Sequence, residues 1–335
     1  MKEMQKKSVT MKEVAQLAGV SVGTVSRVIN QEQGIKETTL QKVQQAIEEL
    51  NYIPDVYARG MKTNRTETVA LILPTIWHPF FSEFAFFVEE ALSKKNYKLL
   101  LCNTDGAKKE IEYLMMLRQN KVDGIIAITY SPIEDYLASN IPFVSIDRTY
   151  QDKEIACVTS DNQKGGELAA QILLEKGCQH LAFVGSHNDT LNETKKRRQF
   201  FEKTIDQIGK ECLIFDRAEP VDHFLGDLEN FLALHPQIDG IFAINDFTAL
   251  DTIAILEKQG KRVPEDVQVI GYDGIRFSND RNYHVSTIKQ PLEQMAQEAV
   301  NILLAIIHKK SYKLQSILPI SYIEGATTKK MRRRS

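Results

Sequence analysis

Arg27 is the one cation in a run of small and apolar side chains, Val22-Gly23-Thr24-Val25-Ser26-Arg27-Val28-Ile29-Asn30. On a helix, Val22, Gly23, Ser26, Arg27 and Asn30 would point outward, with Val25, Val28 and Ile29 on the buried side. Small residues at a helix start let backbone come close to a partner. A guanidinium there can reach a guanine edge or a phosphate. The chemistry of this set is hydrogen bonding in a nucleic-acid groove, not bond making.

A second set of polar residues stands where apolar runs end. Asn103 and Asp105 follow one run, Asp147-Arg148 another, and Asp161-Asn162 follow Val158; Ser186, Asn245-Asp246 and Asp273 complete the set. Carboxylates and amides accept from and donate to hydroxyls, so a polyhydroxylated ligand is the natural guest. Asp and Asn also cap helices and form turns, so each has a structural reading beside the binding one. Enzyme chemistry finds no support. There is no G-x-x-x-x-G-K-[ST], no G-x-G-x-x-G after the first strand and no H-E-x-x-H, and the seven histidines miss metal-ligand spacing. His180 and His235 read as surface or capping residues.

The elements that must position the first set are legible. Thr10 and Glu13 form a T-x-x-E capping box. Val14, Leu17 and Ala18 then make one apolar helix face, and Gly19 suits a left-handed helix end. Ser21 caps the next helix. Two short helices around a Gly turn are the helix-turn-helix pattern. Leu40, Val43, Ile47 and Leu50 predict a third helix, ended by Asn51-Tyr52-Ile53-Pro54. From Val69 the texture changes. Apolar runs at 69–73, 99–102, 124–129, 143–146, 180–184, 240–244 and 267–271 predict buried strands. Helical patterns at 81–95, 110–119, 165–175, 194–208, 248–258 and 291–308 lie between them. Alternation of this kind implies parallel sheets with helices on both faces. The strands are too many for one comfortable sheet, and two similar halves divide near Asp161. Ligands of such sheets bind outside the carboxyl ends of the strands.

The segment Val9 to Lys62 resembles the headpiece and hinge of the LacI/GalR family of bacterial repressors. A-G-V-S, T-V-S-R-V-I-N, N-Y-I-P and Ala58-Arg59-Gly60-Met61-Lys62 carry the likeness. His78-Pro79-Phe80-Phe81, Val122-Asp123-Gly124, Ser160-Asp161-Asn162 before Gly165-Gly166, Asn245-Asp246, the run at 263–267, Gly271-Tyr272-Asp273 and Ile288-Lys289-Gln290-Pro291 extend it over almost the whole chain. The resemblance implies an all-α helix-turn-helix headpiece plus an α/β domain like a periplasmic sugar-binding protein, with two doubly wound parallel-sheet subdomains. The implied division is a headpiece at 1–54, a hinge helix and linker at 55–67, an effector-binding and dimerisation domain at 68–330 and a basic tail at 331–335. Within it the N-subdomain takes about 68–160 and 291–318, and the C-subdomain about 161–290 and 319–329.

Carried over by position, the implied DNA contacts are Thr10, Ser21, Val22, Gly23, Thr24, Ser26, Arg27, Asn30, Thr39, Asn51, Tyr52, Ala58 and Met61. Met61 would wedge a base step apart from the minor groove. The implied effector contacts are His78, Phe80, Phe81, Asp147, Arg197, Asn245, Asp273 and Gln290. Asp161 would lie at the cleft or hold a helix start there. Trp77, the single tryptophan, suits either stacking on a sugar or burial. Arg148 suits a bidentate clamp on a phosphate or carboxylate. The chain departs from the family's pattern at His78, Phe200 and Gly274, which bear on the effector's identity, and at Leu40 and Met61, which bear on affinity.

The implied protein is a homodimeric, cytoplasmic, sequence-specific transcriptional repressor of carbohydrate-utilisation genes. It would bind pseudo-palindromic double-stranded operator DNA, with a sugar or sugar phosphate as effector and no cofactor or metal. A global regulator with a phosphoprotein co-effector and a sugar receptor without DNA function are the alternatives. A formal net charge of -2 over 335 residues excludes a uniformly basic nucleic-acid binder, so affinity must come from local charge and from pairing of headpieces. The four cysteines lack C-x-x-C spacing and read as reduced buried thiols. No signal-peptide segment and no apolar run of membrane-spanning length is expected. Past the strand at Tyr322-Ile323-Glu324 no heptads are seen, so a coiled-coil tetramer is not expected.

Overall fold

The computed structural model describes residues 9–30, 32–53, 65–137, 141–150, 154–276 and 284–330. The expected hinge contacts Ala58 and Met61, and the basic tail, lie outside these residues. The chain divides into two compact units between Thr66 and Glu67.

The smaller unit is three helices: α1 (Met11–Ala18), α2 (Val22–Ile29) and α3 (Glu37–Glu49). The capping box is present. The Thr10 hydroxyl accepts from the Glu13 N–H, and the Glu13 carboxylate accepts from the Thr10 N–H at 2.7 Å. Gly19 ends α1 at φ 62°, a conformation that costs a Cβ-bearing residue about 1 kcal/mol or more. Ser21 Oγ accepts from the Thr24 N–H at 3.1 Å and starts α2. Val14, Ala15, Val25, Val28, Val43, Ala46 and Tyr52 close the core. Each buried valine contributes roughly 1.5–3 kcal/mol. Leu17, expected inside, is 46 % exposed, and Ala15 packs inside instead.

The larger unit holds two six-stranded sheets. The first comprises β1 (Thr68–Leu73), β2 (Lys98–Asn103), β3 (Gly124–Ala127), β4 (Phe143–Ile146), β5 (Ala156–Ser160) and β11 (Gln315–Leu318), in the order β11-β5-β4-β3-β1-β2, all parallel. The second comprises β6 (Leu181–His187), β7 (Cys212–Ala218), β8 (Gly240–Ala243), β9 (Gln268–Asp273), β10 (Ser286–Lys289) and β12 (Ser321–Ile323). Its order is β12-β10-β9-β8-β6-β7, with only β12 antiparallel. In each sheet the strand order reverses beside the first strand, at β1/β3 and β6/β8. Those are the switch points where a crevice opens.

Period-two alternation assigns the faces. Val69, Leu71 and Leu73 pack on α4 (Pro79–Ser93) and α10 (Leu292–Ile307), while Ala70 and Ile72 pack toward α5 (Ala107–Gln119). In the second sheet Phe183 faces α6 (Asn162–Glu175) and α7 (Lys195–Asp206). Ala182 and Val184 face α8 (Phe224–Leu234) and α9 (Asp246–Lys258). The apolar runs and helical patterns do not include β5, β7, α8, β10 or β11. β7 is a half-exposed edge strand, β10 is four residues long with Ser286 and Thr287 buried, and Gly226 interrupts the α8 pattern. Chain segments cross between the sheets after β5, after β10 and between β11 and β12.

Candidate functional site

The carboxyl ends of both sheets border a cleft of about 750 Å³, open solvent at its mouth included. Arg197, in the first turn of α7 and 5 % exposed, is its centre of charge. Its Nε donates to Asn162 Oδ1 at 2.7 Å and its Nη1 to the Ile244 carbonyl at 2.9 Å. The guanidinium lies 3.7 Å over the Tyr272 ring, a cation–π contact. These bonds fix the plane and leave the rest of the fork to a ligand.

Two carboxylates share this cation. Asp273 ends β9, with Oδ1 3.6 Å from Arg197 Nη1. Gln290 Nε2 donates to the same oxygen at 2.8 Å, and Ser160 Oγ donates to Gln290 Oε1 at 2.7 Å. Asp147 follows β4 and accepts from Thr159 Oγ1 at 2.5 Å. Burial raises both carboxyls, and Arg197 opposes the shift. Asp273 is pushed up to about 6, Asp147 upward from its ordinary value. Both have left-handed backbone, φ 107° at Asp273 and φ 56° at Asp147, which non-glycine residues adopt only where surrounding structure holds them.

His78 caps α4, its Nδ1 accepting from the Phe80 N–H at 3.3 Å. That bond assigns the proton to Nε2. Burial lowers the imidazole to about 4, so it is neutral at pH 7 and offers an N–H donor. Phe80 and Phe81 stand beside it as apolar walls. Asn245 caps α9, its Oδ1 accepting from the Thr248 N–H at 2.8 Å, which leaves its amide N–H groups for a ligand.

The structure thus brings His78, Phe80, Phe81, Asp147, Arg197, Asn245 and Asp273 together. Gln290 stands behind Asp273 as its holder. Asp161 starts α6 by accepting from the Lys164 N–H, and is not among the residues lining the cleft. Arg148 and Trp77 are corrections. Arg148 turns into the first subdomain, with Nη1 donating to Thr129 and the Ser131 carbonyl and Nη2 meeting Glu134. With its guanidinium buried and bound to Thr129, Ser131 and Glu134, Arg148 does not line the cleft and is not placed to clamp a ligand there. Trp77 is 93 % exposed, neither buried nor lining the cleft.

Tyr130, His187, Asn188, Thr194 and Glu219 also line the cleft and went unanticipated. His187 ends β6, Asn188 follows it and Tyr130 follows β3, so the carboxyl-end rule that flagged Ser186 could have found them. Glu219 follows β7, which carried no signal of its own.

On the headpiece, Val22, Gly23 and Arg27 are exposed, Thr24, Ser26, Asn30 and Thr39 half-buried, and Thr10, Ser21 and Asn51 exposed. Arg27 Nε meets Glu32 at 3.0 Å. An exposed pair of this kind contributes about 0–1 kcal/mol, so a phosphate or base can replace it. Tyr52 is 8 % exposed and belongs to the headpiece core. Left-handed Asn51 ends α3 and folds Tyr52 back, its N–H bonding the Ile47 carbonyl at 2.9 Å. Among the described residues no group of three or more His, Cys, Asp and Glu could hold a metal ion, and no helix is long and apolar enough to cross a membrane. Burial raises the thiols of Cys102, Cys157, Cys178 and Cys212 to about 11 or 12.

Residues 10–55 match the model of bacterial regulatory proteins of the lacI family. Residues 66–325 match that of periplasmic binding proteins and the sugar-binding domain of the LacI family. The chain belongs to the LacI family. It is a DNA-binding transcriptional regulator, not an enzyme. This LacI-family chain is 34 % identical over 325 residues to a ribose operon repressor of Halalkalibacterium halodurans, covering 96 % of this chain and 97 % of that one. It is 34 % identical over 323 residues to a sucrose operon repressor of Streptococcus mutans, covering 93 % and 97 %. A solved periplasmic binding protein/LacI regulator of Alkaliphilus metalliredigens, complexed with D-xylulofuranose, is 31 % identical with a TM-score of 0.70, covering 79 % of this chain and all of that one.

Proposed function

We propose that this LacI-family regulator represses carbohydrate-utilisation genes and is controlled by a neutral sugar bound between its two sheets. The observation that carries the reading is the Asp147–Arg197–Asp273 cluster, almost fully buried and open to the cleft. A guanidinium between two carboxylates offers donors and acceptors in the alternation that ring hydroxyls present. Asp147, Asp273 and Glu219 outnumber the one lining guanidinium, which opposes a phosphate and favours an uncharged ligand. The relatives named for ribose and sucrose, and the xylulofuranose-bound neighbour, point to the same ligand class.

A sugar that bonds His78 and Asp147 on one side and Arg197, Asn245 and Asp273 on the other favours a closed cleft. It shifts the protein between states only by its difference in affinity for them. Linkage makes the coupling reciprocal, so operator DNA changes sugar affinity by the factor that sugar changes operator affinity. The reading includes a headpiece at 1–54, a connecting segment at 55–67 and an effector domain at 68–330, working as a homodimer on a pseudo-palindromic operator in the cytoplasm. Val22, Gly23, Ser26, Arg27 and Asn30 would meet the bases. The test is calorimetry with ribose, xylulose, glucose, fructose and sucrose, joined to fluorescence anisotropy on DNA from upstream of the chain's own gene. One sugar should bind and change operator affinity, and Asp273→Ala should abolish that response while keeping operator binding. Sugar binding undiminished by Asp273→Ala would place the effector elsewhere.

A further inference from the structure

Arg148 is among the largest fully buried side chains of the chain. Its guanidinium serves one short loop, residues 128–133, between β3 and a single 3-10 turn (Glu134–Tyr136). Nη1 donates to the Thr129 hydroxyl at 3.1 Å, the Thr129 carbonyl at 3.4 Å and the Ser131 carbonyl at 2.5 Å. Nη2 donates to Glu134 Oε1 at 2.5 Å. The guanidinium also lies 4.7 Å from the centre of the Tyr150 ring, whose hydroxyl bonds the Thr129 hydroxyl at 3.1 Å. The two carbonyls bracket Tyr130, which lines the cleft. Its phenol stands within electrostatic reach of Asp147, Arg197, Asp273 and Glu219, and burial raises it above its ordinary value, so it keeps its proton.

We infer that Arg148 is a positioning residue for effector binding, holding this loop so that Tyr130 presents its hydroxyl to a ligand in the cleft. The inference rests on the sugar reading of the cleft and adds Tyr130 to its contacts. A loop has no ladder to satisfy its carbonyls, so buried ones need other partners. Arg148 supplies them on both sides of Tyr130. Stability alone does not account for this cation. Burying a charge is costly, its ionic partner Glu134 is half-exposed, and its Nε has no partner among the described residues. What the planar fork supplies is direction. Its donors are fixed relative to one another, so the acceptors at 129, 131 and 134 are fixed as well. The backbone of Arg148 pairs with Asn192 in an antiparallel bridge, and the Asp147 carbonyl accepts from the Glu193 N–H at 2.8 Å. The guanidinium thus works from a segment that is itself held. Tyr130 faces the cleft already placed, so little side-chain ordering opposes a ligand.

Calorimetry on the full chain uses ribose, xylulose, glucose, fructose and sucrose. For the sugar that the native chain binds, Tyr130→Phe should weaken affinity about three- to tenfold, the loss of one hydrogen bond. Arg148→Met should weaken it at least as much, and the double variant should bind within about twofold of Arg148→Met, because Arg148 acts through Tyr130. A role in folding alone would lower the melting temperature, followed by circular dichroism, without making the two losses depend on each other. Where Arg148→Met fails to fold, Thr129→Val takes its place in the cycle. It removes one acceptor of the guanidinium and should cost about threefold in the native background and nothing beside Tyr130→Phe. Native affinity in Tyr130→Phe, native affinity in the folded partner variant, or losses that multiply in the double variant overturn the inference and leave the sugar reading standing. If none of these sugars binds the native chain, that reading falls and this inference with it.

Discussion

Replacing Arg197 with methionine keeps the apolar stem and the contact with Tyr272 but removes the cation between Asp147 and Asp273. Those three residues are 5 %, 4 % and 6 % exposed, so solvent screens their interaction little. Removing one partner of a buried pair costs about 3–5 kcal/mol, because the remaining charge is left uncompensated. Part of that loss is independent of pH, since Asn162 and the Ile244 carbonyl lose a donor at any pH. The rest is not. In the native fold Asp273 titrates near 6, and Arg197 is what holds it from going higher. Without Arg197 it titrates above 6, so the variant's folded state retains a proton that the native fold releases. The stability difference is therefore flat below about pH 5 and widens above 6, by up to roughly 1.4 kcal/mol per pH unit until the variant's own carboxyl ionises. Urea denaturation of the full chain at pH 5 and pH 8, with circular dichroism following the larger unit, measures it. A loss below about 1 kcal/mol at pH 8, or the same loss at both pH values, refutes the electrostatic account.

Arg27→Ala should weaken operator binding by about 1–3 kcal/mol in fluorescence anisotropy, while Glu32→Ala leaves it equal or tighter by freeing the guanidinium; wild-type affinity in Arg27→Ala removes that residue from the interface. Gly166→Ala should lower stability by about 1–3 kcal/mol and weaken sugar binding, because a Cβ there runs into the Arg197 carbonyl where α6 meets α7; an unchanged melting temperature contradicts that packing. Asp246 is 3 % exposed and accepts from the Gly274 and Ile275 N–H groups, with its other oxygen unpartnered. Burial lifts it from 3.8 to about 8, so its stabilising effect is full below 3.8 and is lost as pH rises toward 8. Asp246→Asn should thus be more stable than the native chain at pH 9 and not at pH 5; equal stability at pH 9 shows the carboxyl is not buried as described.

Local order was legible in the chain itself. The Thr10–Glu13 box, the Gly19 turn and the Ser21 cap involve residues within four positions of one another, and their chemistry acts before any tertiary contact. Continuous apolar runs announced parallel sheets, because a strand buried on both faces has no polar side to show. What surrounds the cleft was legible only in part. Asp147, Asn245 and Asp273 end anticipated strands, and their types suited hydroxyls. Tertiary structure alone decided that Arg197, from a helix, would stand between Asp147 and Asp273, from two different sheets. It alone sent Arg148 away from the cleft, left Trp77 in solvent and put Tyr52 in the headpiece core. Strand β7, and with it Glu219, carried too weak a local pattern to be seen, since an edge strand is held by its neighbour's hydrogen bonds and not by its own periodicity. Side-chain type and local periodicity are properties of short segments, whereas direction, burial and charge pairing depend on backbone angles and neighbours that only the closed fold supplies.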